Sequence, residues 1–366
     1  MNTSFEDLVY LCSCAVDTRA PDAERVKKLD LPELLRTAEQ HMLTAVVAAA
    51  LESAGVRDRA FIQAGAKAAR KAVIMDLEQD RVLSRLEAAG IWYMPMKGAV
   101  LKDLYPSCGM RQMSDRDILT DTDRMAEVRD IMVDLGFTVE EYGQDYHDCY
   151  FKPPVCNFEM HRKPVGPMSK PSIYSYYLDV QHRLRNDPDS KYGRHFSPED
   201  FYVFMVAHEY NHFTERGTGL RSLLDTYVYL KSHRIDQEYV AAETAKLGIS
   251  DFEQTNRELA LHLFGGNALT EAEQRMLKRF YDAGTYGSVE IRAKNQLEEK
   301  GRKGYFLSRL TLPYERMLEM YPVLNRVPML YPFCWLHRLI YAFLFKNKKV
   351  MYQLKAGLTW KGKDKR

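Results

Sequence analysis

The sequence predicts an α+β protein in which a small mixed sheet is flanked by an N-terminal and a C-terminal helical region. Three observations support this. Apolar residues recur at spacings of three and four over residues 4–89, short alternating segments follow over 90–162, and the chain is predicted to be helical again after a connection at 163–172. These two periods are typical of amphipathic helices and half-buried strands. We therefore divide the chain into regions 1–89, 90–165 and 166–366.

The N-terminal region has a clear helical repeat, with Leu31, Leu34, Leu35 and Ala38 on one face. A long amphipathic helix is predicted over about 58–89. Gly90 follows it at the position where a left-handed residue commonly ends a helix.

The middle region has sequence patterns that are typical of β-strands. Extended segments are predicted at 91–96 and 117–120, followed by a helix over about 123–135. Three further segments, 137–141, 147–152 and 155–161, look like consecutive antiparallel strands. This mixture of elements gives the α+β assignment.

Composition limits the classes of protein. The chain has 366 residues, 46% of them hydrophobic, and a formal net charge of +2, so no global field favours nucleic acid. The six cysteines are scattered without a CxxC pair, and no secretory signal or long apolar run is visible. We expect a reducing, cytoplasmic location.

Two carboxylates mark the candidate site. Asp115 and Asp117 are two residues apart, so a strand directs both side chains to the same face, while Arg116 points to the other. In the 155–161 strand, Glu159 and His161 share one face. If the two strands are neighbours, three carboxylates meet, and hard ions such as Mg²⁺ prefer such oxygen ligands.

The Lys97-Gly98 turn precedes this strand. Glycine permits close approach of the backbone to a phosphate, and lysine supplies a point charge. Three carboxylates with two Mg²⁺ ions are the arrangement that supports in-line phosphoryl or nucleotidyl transfer.

These motifs resemble the bacterial family of uncharacterised nucleotidyltransferases, part of the DNA polymerase beta-like superfamily. The resemblance spans about residues 86–338 and is carried by Lys97, Gly98, Ala99, Leu101, Tyr105, Arg111, Asp115, Asp117, Glu159, His161, His208, His212 and the segment 217–225. It implies that Asp115, Asp117 and Glu159 are the catalytic and metal-binding carboxylates. The superfamily's usual turn contains a serine that holds the triphosphate, whereas Ala99 stands here. Nucleotide binding is therefore expected from Lys97, Gly98 and Arg111.

A rival motif lies in the C-terminal region. His208-Glu209-Tyr210-Asn211-His212 matches the H-E-x-x-H pattern, in which two histidines one helical turn apart bind Zn²⁺ and the glutamate acts as general base. A zinc hydrolase needs a third ligand, and Asp225 or Glu238 is the available candidate.

Our preferred interpretation directs His208, His212, Arg221 and Asp225 to the carboxylate cleft as substrate-binding or supporting residues. An Arg221–Asp225 ion pair at spacing i, i+4 is the structural alternative. His161 either orients a carboxylate or touches the acceptor, or is a satisfied strand-end histidine. Asp121-Thr122-Asp123 is assigned to helix capping.

The C-terminal stretch 331–366 combines aromatic residues with many lysines. It could contact an anionic membrane surface, but a core helix with a basic end is the commoner arrangement, and we favour it. No nucleic-acid module is visible, so nucleic acid is not an expected partner.

The sequence thus predicts a nucleotidyltransferase that uses two Mg²⁺ or Mn²⁺ ions and an NTP, with an unidentified acceptor. Two alternatives stay open: the zinc hydrolase, and a non-catalytic nucleotide-binding protein.

Overall fold

The computed structural model describes residues 3–215, 217–285, 289–312, 314–345 and Leu358. Within these ranges it is an α+β fold, as predicted. The N-terminal part contains α1 (Thr3–Val16), α2 (Ala23–Val26), α3 (Leu31–Gln40), α4 (Thr44–Ser53) and α5 (Arg59–Ala89).

Helix α5 shows how local chemistry fixes an element. Asp58 caps its first turn, since the carboxylate accepts hydrogen bonds from the backbone N–H groups of Ala60 and Phe61. Gly90 ends it with φ 68, the left-handed conformation that glycine adopts readily. Both ends agree with the sequence prediction.

The middle of the chain builds the sheet. Its elements are β1 (Tyr93–Pro95), α6 (Gly98–Leu101), β2 (Arg116–Thr120), α7 (Met125–Asp134), β3 (Thr138–Glu141), β4 (His147–Lys152) and β5 (Cys156–His161). The strand order is β1-β2-β5-β4-β3. β2 and β5 are parallel, and the other pairs are antiparallel, including the predicted run of β3, β4 and β5.

The remaining described elements are mainly helical. They are α8 (Pro171–Tyr176), β6 (Leu184–Asn186), β7 (Arg194–Phe196), α9 (Pro198–Glu215), α10 (Leu220–Ser232), α11 (Gln237–Leu247), α12 (Ser250–Gly265), α13 (Glu271–Ala283), α14 (Val289–Leu310), α15 (Tyr314–Met320) and α16 (Tyr331–Phe345). β6 and β7 form a separate two-stranded sheet.

Two apolar clusters enclose the five-stranded sheet. One joins α5 and α7 to the sheet through residues such as Val82, Ile118 and Phe158. The other contains Leu8 and Val47 of the N-terminal helices together with Leu224 of α10. The N-terminal and C-terminal helices therefore share one core.

The C-terminal end is only partly described. α16 buries Cys334 against a small cluster that includes Met317 and Leu324, while Phe333 and Leu344 are exposed on it. Residues 346–357 and 359–366, which carry most of the predicted basic tail, lie outside the described residues. Among the helices of the described ranges, none is long and apolar enough to span a membrane.

Candidate functional site

Two carboxylates lie side by side at the centre of the sheet. Asp117 of β2 is paired in register with Glu159 of β5, so the parallel strands bring their side chains together on one face. The opposite face is occupied by Arg116, which is fully buried and forms an ion pair with Asp76. The alternation predicted for Arg116 and Asp117 is therefore confirmed.

His161 bridges the two carboxylates. Its Nε2 lies 2.9 Å from Oδ1 of Asp117 and 3.4 Å from Oε2 of Glu159, and its side chain is fully buried. Burial alone would lower the pKa of His161, but its hydrogen bonds to Asp117 and Glu159 outweigh burial and raise that pKa. His161 thus contacts both carboxylates, a geometry that suits the orienting role considered for it from the sequence.

Lys97 also contacts Asp117. Its Nζ donates to Oδ1 of Asp117 at 2.7 Å. Burial opposes charge on both groups, yet their attraction raises the pKa of Lys97 and, with the His161 hydrogen bond, holds the pKa of Asp117 well below its usual range. Lys97 has φ 49, a strained conformation for a non-glycine residue, so the turn holds its side chain at Asp117 at an energetic cost.

Asp115, which was predicted to share a strand with Asp117, lies in the loop one residue before β2. Burial and the nearby charges of Asp117 and Glu159 raise its pKa to about 6. The three carboxylates are therefore close enough to repel one another, although Asp115 does not belong to the tightest group.

These residues line a cavity of about 490 Å³ between the sheet and helices α9 and α10. Its walls also include the residues that the sequence assigned to the cleft and several that it did not. The polar lining residues are Lys97, Arg111, Ser114, Asp115, Asp117, Tyr146, His147, Glu159, His208, Glu209, His212, Thr218, Arg221, Ser222, Asp225 and Thr285. Phe201, Phe204 and Met205 form an apolar part of the wall.

Asp225 pairs with Arg111 rather than Arg221. Arg111 donates from Nε and Nη2 to the two carboxylate oxygens at 2.7 and 2.8 Å, and the Tyr105 hydroxyl donates to Oδ1 at 2.7 Å. The considered i, i+4 pair of Arg221 and Asp225 is therefore wrong, because a planar guanidinium from outside the helix satisfies both oxygens.

This pair also bears on the nucleotide-binding role that was predicted for Arg111. Its guanidinium is already neutralised by Asp225, and both side chains are buried. Nη1 of Arg111 lies against the turn, since a Cβ at Gly98 would come within 2.5 Å of it. Gly98 thus allows Arg111 and Met113 to pack closely, a reason for glycine that does not involve phosphate.

Arg221 remains as a cavity cation on the helical wall. It donates from Nη1 to the backbone oxygen of Gln112 at 2.7 Å and contacts Sδ of Met42. No ion pair with a carboxylate of the described ranges satisfies its charge, and burial lowers its pKa.

The H-E-x-x-H segment lies on α9. His208 and His212 face each other with their Nε2 atoms 3.1 Å apart, and burial lowers the pKa of His208 well below its usual range. Glu209 also borders the cavity, and it accepts a hydrogen bond from Asn256 of α12 at 2.8 Å. Within the described chain, no third histidine, cysteine or acidic ligand atom joins the two histidines in a metal-sized group. The zinc hydrolase therefore lacks its third ligand here: Asp225 is held by Arg111, and Glu238 is exposed.

The carboxylate site itself suits a hard cation. Ligand atoms of Asp117, Glu159 and His161 all lie within 4.8 Å of one another. Two of the three are carboxylate oxygens, the ligand type that Mg²⁺ prefers. The donor set thus fits a divalent ion, with Asp115 nearby.

Sequence reasoning missed Tyr146 and His147, which line the cavity beside Glu159. His147 is paired in register with His161, and burial lowers its pKa. Once β4 and β5 are taken as antiparallel neighbours, their alternation directs His147 to the face of Glu159. The predicted capping role of Asp121 is confirmed, since its side chain accepts from the N–H of Asp123.

Comparison with protein families gives one match. A family model described as uncharacterised nucleotidyltransferase matches residues 27–265, well over half of the chain. The searches of curated proteins and of solved structures find no match.

Proposed function

Because this chain belongs to the uncharacterised nucleotidyltransferase family, we propose that it is a Mg²⁺-dependent enzyme that moves a nucleoside monophosphate from an NTP to an acceptor. The acceptor presents a hydroxyl or phosphate group and is a small molecule, a sugar or a protein. One observation carries the proposal: Asp117 and Glu159 lie side by side on parallel strands, with ligand atoms close enough to share a cation.

Asp115, Asp117 and Glu159 would hold two Mg²⁺ or Mn²⁺ ions, which when bound neutralise charge on the triphosphate and lower the pKa of the attacking hydroxyl. The charges of the cavity support this assignment. Since Arg111 and Asp225 neutralise each other, Lys97 and Arg221 are the lysine and arginine of the described cavity lining that remain to face Asp115, Asp117 and Glu159. Burial raises the pKa of Asp115, and the neighbouring charges of Asp117 and Glu159 raise it further, so a cation bound here would relieve their repulsion.

The transfer step forms a bond from the acceptor oxygen to the α-phosphorus and breaks the bond from that phosphorus to pyrophosphate. Glu159 accepts the proton of the acceptor hydroxyl, because it is ionised and lies at the cavity wall. His161 holds Glu159 and Asp117 in position. Lys97 at the Gly98 turn is paired with Asp117 and would contact the phosphates as a point charge when metal ions take up the charge of that carboxylate.

The helical wall supplies the remaining contacts. Arg221 binds the phosphates, since its charge is not taken by a carboxylate, whereas Arg111 fixes the turn through Asp225. His208 and His212 lie beside the apolar wall formed by Phe201 and Phe204, where they contact the base or the acceptor.

Calorimetric titration with each NTP, with and without Mg²⁺, tests the proposal first, followed by measurement of pyrophosphate release. We expect Mg²⁺-dependent binding and release, and loss of release in Asp117→Asn with the circular dichroism spectrum unchanged. Binding without release under any acceptor mixture would favour the non-catalytic alternative. Failure of every NTP to bind would contradict the proposal.

A further inference from the structure

The side of β4 that faces the cleft carries two residues with no part in the proposed reaction. His147 and Cys149 are two residues apart on this strand, so both point to the face of Glu159. His147 is paired in register with His161, and Cys149 with Glu159. The strand pairing thus brings an imidazole and a thiol beside a carboxylate.

These three side chains form a compact ligand group. One ligand atom from each of His147, Cys149 and Glu159 lies within 4.8 Å of the others. Nε2 of His147 is 3.7 Å from Oε2 of Glu159, too far for a hydrogen bond. Nδ1 of His147 is buried without a hydrogen-bond partner in the described part of the chain. The buried Nδ1 of this imidazole therefore lacks the hydrogen bond that a buried polar atom usually makes.

The ligand types differ from those of the neighbouring site. Nitrogen, sulfur and carboxylate oxygen together are a donor set for Zn²⁺ or Co²⁺, which accept three protein ligands and leave a fourth position for water. A thiol is a poor ligand for Mg²⁺, which takes oxygen. The cleft face of the sheet thus offers a hard site at Asp117 and a softer one at Cys149, with Glu159 between them.

We propose that His147, Cys149 and Glu159 form a separate binding site for Zn²⁺ or a similar borderline-soft divalent ion. On binding, the metal–sulfur bond replaces the S–H bond of Cys149, and the proton leaves to solvent. The site shares Glu159 with the proposed active site, so an occupied site withdraws this carboxylate from the transfer reaction. This second consequence, inhibition by Zn²⁺, rests on the proposed function, whereas binding does not.

Co²⁺ is the probe for binding, because its thiolate complexes have a charge-transfer absorption in the near ultraviolet. We expect this band on titration of the metal-free protein with Co²⁺, and its loss on adding Zn²⁺. Cys149→Ser should abolish the band, and His147→Gln should weaken Zn²⁺ affinity by about tenfold or more, measured against a chromophoric chelator. Cys108→Ser, which changes an exposed cysteine elsewhere, is the matched control and should bind as the wild type does.

The outcomes separate the possibilities. Absence of the band, or its loss in Cys108→Ser rather than Cys149→Ser, overturns the site. Zn²⁺ affinity that falls with His208→Gln and not with Cys149→Ser would assign the ion to the histidine pair of α9 and also overturn it. A circular dichroism spectrum and urea midpoint close to the wild type confirm that each variant is folded.

An activity assay gives a second, independent test of the site. With Mg²⁺ and NTP present, Zn²⁺ should inhibit pyrophosphate release by the wild type, while Cys149→Ser keeps its activity and resists inhibition by about tenfold more Zn²⁺. Equal inhibition of both proteins overturns the shared role of Glu159. If neither protein turns over NTP, the proposed function fails, and the Co²⁺ titration still decides the metal site.

Discussion

Arg111 and Asp225 are each only 7% exposed in their side chains, and they hold each other through two parallel hydrogen bonds. Removal of one member leaves the other charge buried without a partner, which costs about 3–5 kcal/mol in comparable pairs. We expect Asp225→Asn to lower the free energy of unfolding by this order, measured by urea denaturation at neutral pH.

The double variant Arg111→Gln/Asp225→Asn is the control for this pair. Since it removes both charges, its loss should be smaller than the sum of the two single losses. Additive losses would show that the two side chains do not depend on each other.

Glu209 is another buried residue whose charge state matters. Burial raises its pKa to about 7, well above the value of 4.5 for an exposed glutamate. Between these two pH values the unfolded chain has released the proton while the folded protein retains it, so stability falls as pH rises. Above pH 7, the free energy of unfolding is lower by about 3 kcal/mol for this reason.

Glu209→Gln removes this titration and keeps the shape of the side chain. Its free energy of unfolding should therefore vary less between pH 5 and pH 8 than that of the wild type, measured by urea denaturation at both values. Parallel pH profiles would contradict the assignment. The variant should also retain nucleotide binding, whereas a zinc hydrolase would lose its general base.

Individual residues were predictable where the chemistry is local. Asp121 caps the helical turn that follows it, as predicted, and the direction of the Asp117 side chain follows from strand alternation. The partner of Asp225 was not predictable, because Arg111 is 114 positions away in the sequence. Helical spacing offered Arg221 as a partner, and only the packed fold shows which arginine reaches the carboxylate.

At the level of elements, the turn between β1 and α6 depends on the absence of a side chain at Gly98. A Cβ there would lie 2.5 Å from Nη1 of Arg111 and 2.7 Å from Sδ of Met113. Arg111 cannot easily move, because Asp225 holds it. We expect Gly98→Ala to destabilise the protein by about 1–3 kcal/mol, as overpacking does.

Gly265→Ala is the matched control, since it lies in α12 and its Cβ would meet only the end of the Asn267 side chain at 3.3 Å. This change should be neutral or slightly stabilising. Urea midpoints of the two variants test the difference. Similar midpoints would show that the close approach at Gly98 carries no special cost.

The five strands of the central sheet were predicted within one or two residues, because alternation and glycine turn signals are local, whereas β6 and β7 were not predicted. Their order in the sheet was not, since β1-β2-β5-β4-β3 places β5 beside β2 across an intervening helix and hairpin. That placement decides the site: it sets Asp117 beside Glu159 and His147 beside His161. From the sequence, the carboxylates could be expected to meet only if these two strands proved to be neighbours.

Across the whole molecule, the cavity depends on contacts between distant parts of the chain. Leu8 and Leu224 belong to one core, although more than 200 residues separate them. Periodicity within each helix cannot reveal such a contact, so the sequence suggested flanking regions and not their shared packing. The helical wall carries Arg221 to the loop before β2, where it donates to the backbone oxygen of Gln112.

A ligand that spans this cavity should therefore stabilise the entire fold. A ligand that binds only the folded protein contributes about 2.7 kcal/mol at a concentration 100 times its Kd. We expect NTP with Mg²⁺ to raise the unfolding temperature in differential scanning fluorimetry, and Arg221→Gln to reduce the rise because a charge-assisted phosphate contact is lost. Such contacts contribute about 1.5–3 kcal/mol, so affinity should fall about ten- to a hundredfold.

Arg234→Gln is the control for charge, because this arginine is exposed just beyond α10 and does not line the cavity. With NTP and Mg²⁺, this control variant should show the same rise in unfolding temperature as the wild type. An unchanged rise in Arg221→Gln, or an equal reduction in both variants, would mean that the phosphates do not contact the helical wall. The nucleotide would then be held by the sheet side alone, through Lys97 and the turn at Gly98.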